Sequence, residues 1–130
     1  ILAAVAVPKF AEMLRKSREG STKGSLNGFR SALSVYIGAN EGLTPYAGPN
    51  GSLADLTCMI PTYLESVPTS KLGAHHADFN RVITRGVVND RGFVASLYDV
   101  NGWIYTSSGG GQIFVNCTHT DTKRVWITEW

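Results

Sequence analysis

The apolar positions of the first forty residues change character twice. Ile1-Leu-Ala-Ala-Val-Ala-Val7 is apolar on every side, and Pro8 follows at once. Beyond it charges alternate at helical spacing. Glu12 with Lys16, Arg15 with Glu19 and Glu19 with Lys23 are opposite charges four residues apart, each supporting an exposed helix by roughly 0.2–0.5 kcal/mol. Then Leu26, Phe29, Leu33, Tyr36 and Ile37 recur at threes and fours, a stripe suited to covering a sheet. The pattern predicts one helix over residues 1–40, with an apolar end at 1–10 and a sheet-packing end at 26–40. Gly20, Gly24 and Gly28 interrupt it at four-residue intervals, each costing about 1 kcal/mol relative to alanine. A loop at 20–24 dividing two shorter helices is the alternative. The stripe stays in phase downstream, so a continuous helix is expected, its small residues forming a face where another backbone can approach closely. Gly38-Ala-Asn-Glu-Gly42 supplies the stop.

The remaining chain divides in two. Residues 41–80 form a connection: a loop rich in Pro and Gly to Gly51, a short helix over 53–59 capped by Ser52 and ended by Pro61, then irregular chain. Residues 81–130 read as strands. A weak one over 81–88 turns at Asn89-Asp-Arg-Gly92 into 93–98, and Asp99-Val-Asn-Gly102 carries the strongest hairpin signal in the chain, Asn-Gly. Strands over 102–106 and 112–117 flank a glycine-rich turn, and 123–130 alternates enough for an edge strand. The expectation is an α+β domain whose helix packs on a three- to four-stranded antiparallel sheet.

Composition narrows the function. A 130-residue chain with 43% hydrophobic residues has room for one core. Its net charge of +2 implies neither nucleic acid nor an acidic substrate. The seven-residue apolar start is far short of the roughly 20 residues needed to cross a bilayer. Cys58 and Cys117 are the two cysteines. An even pair in a small, loop-rich domain forms a disulfide in an oxidising compartment and two buried thiols in a reducing one.

Candidate chemistry is sparse. His75, His76, Asp78, His119, Cys58 and Cys117 supply zinc-ligand types but no metal-binding spacing such as Cys-x-x-Cys or His-Glu-x-x-His. Adjacent histidines diverge on regular backbone, so exposed loop histidines are expected. Cys58 with His119 as thiol and base lacks a flanking motif. Asp99, Asp121 and Glu129 would bind calcium only if folded together, and turn formation accounts for Asp99 and Asp121. Asn116-Cys-Thr118 matches a glycosylation sequon. Trp126 and Trp130 are candidates for a surface contact. No catalytic residue, cofactor or metal ligand is expected.

The run Ile1-Leu-Ala-Ala-Val-Ala-Val-Pro8-Lys-Phe10 resembles the second half of the N-terminal segment of type IV pilins and type II secretion pseudopilins. Thr22-Lys-Gly-Ser-Leu-Asn-Gly-Phe-Arg30-Ser-Ala-Leu-Ser-Val-Tyr36 is similar to the family's Lys-x-x-Leu-x-x-Leu-Arg-x-Ala-Leu-x-x-Tyr stretch. Together the two cover about the first third of the chain. The family's processing site and the glutamate after it are absent, as is the Asp-x-Trp-Ser passage of the major secretion pseudopilin and the calcium site that goes with it. The resemblance implies a pilin-like fold and a non-enzymatic structural subunit of an extracytoplasmic filament, serving adhesion, motility or uptake, with a secretion pseudopilin as the alternative. A soluble metal- or thiol-dependent enzyme is the third reading. The resemblance further implies cleavage, N-methylation and a single inner-membrane pass completed by about a dozen apolar residues before Ile1. Polymerisation would run through the helices of identical subunits with the help of pilus or secretion machinery. Ile1, Leu2, Val5, Val7, Pro8 and Phe10, with Gly20 and Gly24, are the expected subunit contacts. Export in turn favours the disulfide between Cys58 and Cys117.

Overall fold

The computed structural model describes residues 2–45, 56, 58–73, 75–84, 99–107 and 110–130. Helix α1 spans Leu2–Ala39 without a break, 38 residues, or about 57 Å at 1.5 Å per residue. It passes through Pro8 and all three glycines. A Cβ built on Gly20, Gly24 or Gly28 would meet nothing within 4 Å, so no other part of the described chain packs closely on these positions. What holds the helix is the downstream stripe, where Leu26, Phe29, Ala32 and Leu33 are buried.

The helix ends as its glycine-rich tail suggests, with one difference. The Gly42 N–H reaches back to the Ile37 carbonyl at 2.8 Å and Asn40 N–H to Tyr36 at 3.0 Å, the six-to-one closure of a Schellman turn. The residue in the left-handed position is Glu41, with φ 56°, where glycine usually sits. Glu41→Gly is therefore expected to stabilise the fold by roughly 0.5–1 kcal/mol, relief of side-chain strain outweighing glycine's greater freedom when unfolded. A raised urea midpoint checks this.

Three short strands follow: β1 at Val82–Thr84, β2 at Trp103–Thr106 and β3 at Gln112–Val115, in spatial order β1-β2-β3. β2 and β3 pair antiparallel, Trp103 opposite Val115, as the turn between them predicts. β1 pairs with β2 in parallel, Val82 beside Trp103. Among the described residues the sheet is thus mixed and three-stranded, which corrects the expectation of a wholly antiparallel sheet. Asn101-Gly102, expected to turn 93–98 into 102–106, has positive φ at both residues, 69° and 84°, and 93–98 lies outside the described residues. Asn101 N–H donates to the Asn116 carbonyl and Asn116 N–H to that of Gly102, both at 3.0 Å, so the pair extends the β2–β3 ladder. A Cβ on Gly102 would lie 2.6 Å from the Arg81 carbonyl oxygen. Only glycine lets β1 approach there.

The expected edge strand over 123–130 is replaced by a bridge between Thr120 and Trp126 and a 3-10 turn, η1, at Ile127–Glu129. Asp121 diverts the backbone: its Oδ1 accepts the N–H groups of Lys123 at 2.8 Å and Val125 at 3.0 Å, in competition with any ladder. The predicted strand at 93–98 and most of the predicted helix at 53–59 lie outside the described residues. Leu56 and Met59, at the end of that segment, are buried in the core.

β2 is buried along its whole length. Trp103 and Tyr105, on its helix-facing side, join Leu26, Phe29, Leu33, Ile113, Val115 and Ile127 in one apolar cluster. The Trp103 and Phe29 rings stack at 5.9 Å and 8°. The α+β domain is therefore one layer of sheet covered by the second half of one helix.

Candidate functional site

The two halves of α1 have different surroundings, and the boundary falls at Glu19–Thr22. Glu19 accepts the N–H and hydroxyl of Thr122, the latter at 2.7 Å. The buried Thr22 hydroxyl accepts Lys71 N–H at 2.8 Å. Lys23 pairs with Asp121 at 3.2 Å and lies 4.4 Å over the Trp130 ring. Arg30 donates to the carbonyls of Ile113 and Trp130. Of the predicted helix pairs, Glu12 with Lys16 closes at 2.7 Å. Glu19 and Lys23 turn instead to the head, because a partly buried partner outweighs an exposed one.

Before that boundary α1 is exposed from Ala6 to Arg18. Val7 is 69% exposed, Phe10 64%, Met13 68% and Leu14 48%. At spacings of three and four they share a side of the helix. Among the expected contact residues, Val7 and Phe10 belong to this stripe and Pro8 sits within the helix. The backbone of Leu2 and Val5 is helical, Ile1 lies outside the described residues, and Gly20 and Gly24 are on the exposed side. The sequence reading missed Met13 and Leu14, although their offset from Phe10 was the available signal. No described helix is long and apolar enough to cross a membrane. Trp126 is 52% exposed, whereas Trp130 is partly covered by Lys23.

A second constellation forms at the far end of β3, where His76, Asp99, Cys117 and His119 place one ligand atom each within 4.8 Å of all the others. His76 Nε2 is 3.1 Å and His119 Nδ1 3.3 Å from Asp99 Oδ1, and Cys117 Sγ is 3.5 Å from His119 Nδ1. Cys117 and His119 are two apart on extended chain, which points both to one side. Asp99 has φ 53°, a conformation Asp tolerates. His76 comes from the turn at Leu72, which accepts its backbone N–H. The expectation of exposed loop histidines holds for His75, which is exposed although its ring stacks on His119 at 4.2 Å, and is corrected for His76, which is largely covered.

The electrostatics follow from these contacts. Burial pushes the Cys117 thiol up to about 11. Burial raises Asp99 as well, but the Thr118 N–H and hydroxyl and the two neighbouring histidines prevail and hold it below the usual carboxylate range. Burial pulls His75 down, helped by His119 and Arg15. Asp78 and Cys58 are not part of the cluster. Asp99 and Asp121 serve separate contacts, so the imagined calcium trio does not assemble among the described residues.

The disulfide is not formed: both cysteines are free, Cys58 exposed and Cys117 buried. The sequon asparagine, Asn116, is fully buried.

Compared with known proteins, the chain matches no family model, no curated protein and no solved structure.

Proposed function

We propose that this chain is a structural subunit of an extracytoplasmic, type IV pilus-like filament, built by packing the N-terminal halves of α1 from many identical copies. The observation that carries the reading is the division of α1 at Glu19–Thr22: a clasped half beneath the sheet, and a free half with Val7, Phe10, Met13 and Leu14 exposed. Burying each of those side chains against neighbouring helices stabilises an assembly by roughly 1.5–3 kcal/mol. Repeated contacts that do not close on themselves generate a helical polymer. The bonds from Glu19, Thr22, Lys23 and Arg30 fix the head to the rod, so each copy presents the same angle to the next. The resemblance of residues 1–10 and 22–36 to pilin sequences supports the same reading. The chain then acts as a building block, with no catalytic step.

The test is a double substitution, Val7→Asp with Phe10→Asp, in the full-length protein expressed with its assembly machinery. Filaments in the sheared cell fraction are expected to fall at least tenfold. Thermal unfolding of the purified head should be unchanged, because neither side chain touches it. Wild-type filament yield from the double variant would rule the proposal out. Filaments that stay short and periplasmic would indicate the secretion alternative.

A further inference from the structure

We infer that His76, Asp99, Cys117 and His119 form a structural zinc site, with His76 Nε2, Asp99 Oδ1, Cys117 Sγ and His119 Nδ1 as ligands. The donor set suits the ion: two imidazoles, a thiolate and a carboxylate are the groups borderline-soft Zn²⁺ takes, four in number for a closed structural site. Three of the six ligand separations suit it too. Tetrahedral ligands at about 2.0–2.1 Å for nitrogen and oxygen and about 2.3 Å for sulfur lie about 3.3 Å apart, or about 3.5 Å where one is sulfur. Here the imidazole nitrogens stand 3.1 and 3.3 Å from the carboxylate oxygen, and sulfur stands 3.5 Å from the His119 nitrogen.

Hydrogen bonding alone accounts for the cluster poorly. His119 Nδ1 faces both Asp99 Oδ1 at 3.3 Å and Cys117 Sγ at 3.5 Å, and a ring nitrogen has one hydrogen or one lone pair to share between them. Asp99 Oδ1 would take two imidazole donors besides the Thr118 N–H at 2.9 Å. As ligands, all four atoms would instead share one ion, each lying within 4.8 Å of the others. Outer contacts of the kind that orient metal ligands are already in place. Thr118 N–H holds the carboxylate, and the His119 backbone N–H lies 3.4 Å from Cys117 Sγ, where it stabilises a thiolate. On binding, the S–H bond of Cys117 breaks, its proton passes to water and a sulfur–zinc bond replaces it.

Such an ion would tie together the 72–79 turn, the approach to β2 and the end of β3. The inference is independent of the filament proposal, since its test needs only the folded head.

Purified, reduced protein is stripped with a chelator and titrated with cobalt(II), then zinc(II). One cobalt per chain is expected, with a thiolate-to-cobalt charge-transfer band and the intense visible bands of tetrahedral cobalt. Zinc should displace it and raise the melting temperature. Cys117→Ser should abolish the charge-transfer band. His76→Gln should weaken zinc binding by more than the roughly 10- to 100-fold that loss of an outer contact costs, and Cys58→Ser should leave both readouts unchanged. Should Cys117→Ser fail to fold, His76→Gln and Cys58→Ser decide the matter. Absence of the charge-transfer band in folded wild-type protein overturns the inference. So does full zinc affinity in His76→Gln, or loss of the band in Cys58→Ser.

Discussion

Trp103→Ala is expected to destabilise the domain by about 4 kcal/mol, the range for removing a large aromatic from a packed core. The residue is fully buried at the start of the middle strand. One face stacks on Phe29 of α1, and its indole N–H donates to the Pro68 carbonyl at 2.6 Å. Truncation therefore leaves a cavity between helix and sheet and strands a carbonyl in the connecting segment. Trp103→Phe separates the two contributions. It retains a ring against Phe29 and loses the N–H, so its cost should be nearer 1–2 kcal/mol, about that of a buried acceptor left without its donor. Chemical denaturation of both variants is the measurement. Equal losses would mean that the stack contributes nothing beyond the hydrogen bond.

Asp121→Ala should cost roughly 3 kcal/mol at neutral pH, because one side chain organises the whole C-terminal turn. Oδ1 takes the N–H groups of Lys123 and Val125. Oδ2 takes Lys23 at 3.2 Å and the Trp130 indole N–H at 3.1 Å. Four donors thus converge on a carboxylate that is 1% exposed. Burial pushes Asp121 up, but the Val125 and Lys123 N–H groups, then Lys23 and Trp130, outweigh it and hold its pKa below the ordinary 3.8. A group depressed on folding stabilises the native state above its unfolded value and loses that contribution as pH falls through its folded value. Wild type and Asp121→Ala should therefore differ most above about pH 5, and the gap should shrink progressively as pH falls below the ordinary carboxylate range. Urea midpoints across that range give the answer, and a gap independent of pH would remove the carboxylate from the account.

The proposed roles of the two ends are separable for the same reason the helix is divided. The free half carries its apolar stripe without support from the sheet. The clasped half carries the polar anchors that the sheet and C-terminal turn satisfy. Changes at Val7 and Phe10 are thus expected to act on assembly, whereas changes at Trp103 and Asp121 act on folding.

The helix was legible because its signals are local. A stripe at threes and fours, charges four apart and a capping sequence act within a turn or two of the residues that carry them, and Leu26, Phe29 and Leu33 are buried as the stripe required. The β2–β3 hairpin was legible too, since two apolar runs and a glycine-rich turn sit together in the chain. The parallel pairing of β1 was not. Asn101-Gly102 has the positive φ angles of a turn, but sequence does not state which strand a turn serves, and here the glycine makes room for the Arg81 carbonyl.

The sites divide along the same line. Val7 and Phe10 announce themselves by being apolar where the helix has no other partner, and Met13 and Leu14 hid among charges. Cys117 and His119 are a local pair, but His76 and Asp99 reach them from separate segments, so spacing alone could not assemble the four. The cysteine count and the resemblance suggested a disulfide, whereas both cysteines are free in the structure. By itself the sequence determined the long helix, its apolar beginning and its sheet-packing end, all set by interactions within a few residues. Only the tertiary structure decided the mixed sheet, the turn that replaces an edge strand and the four-residue cluster, because each depends on which distant backbone comes close enough to compete for the same donors and acceptors.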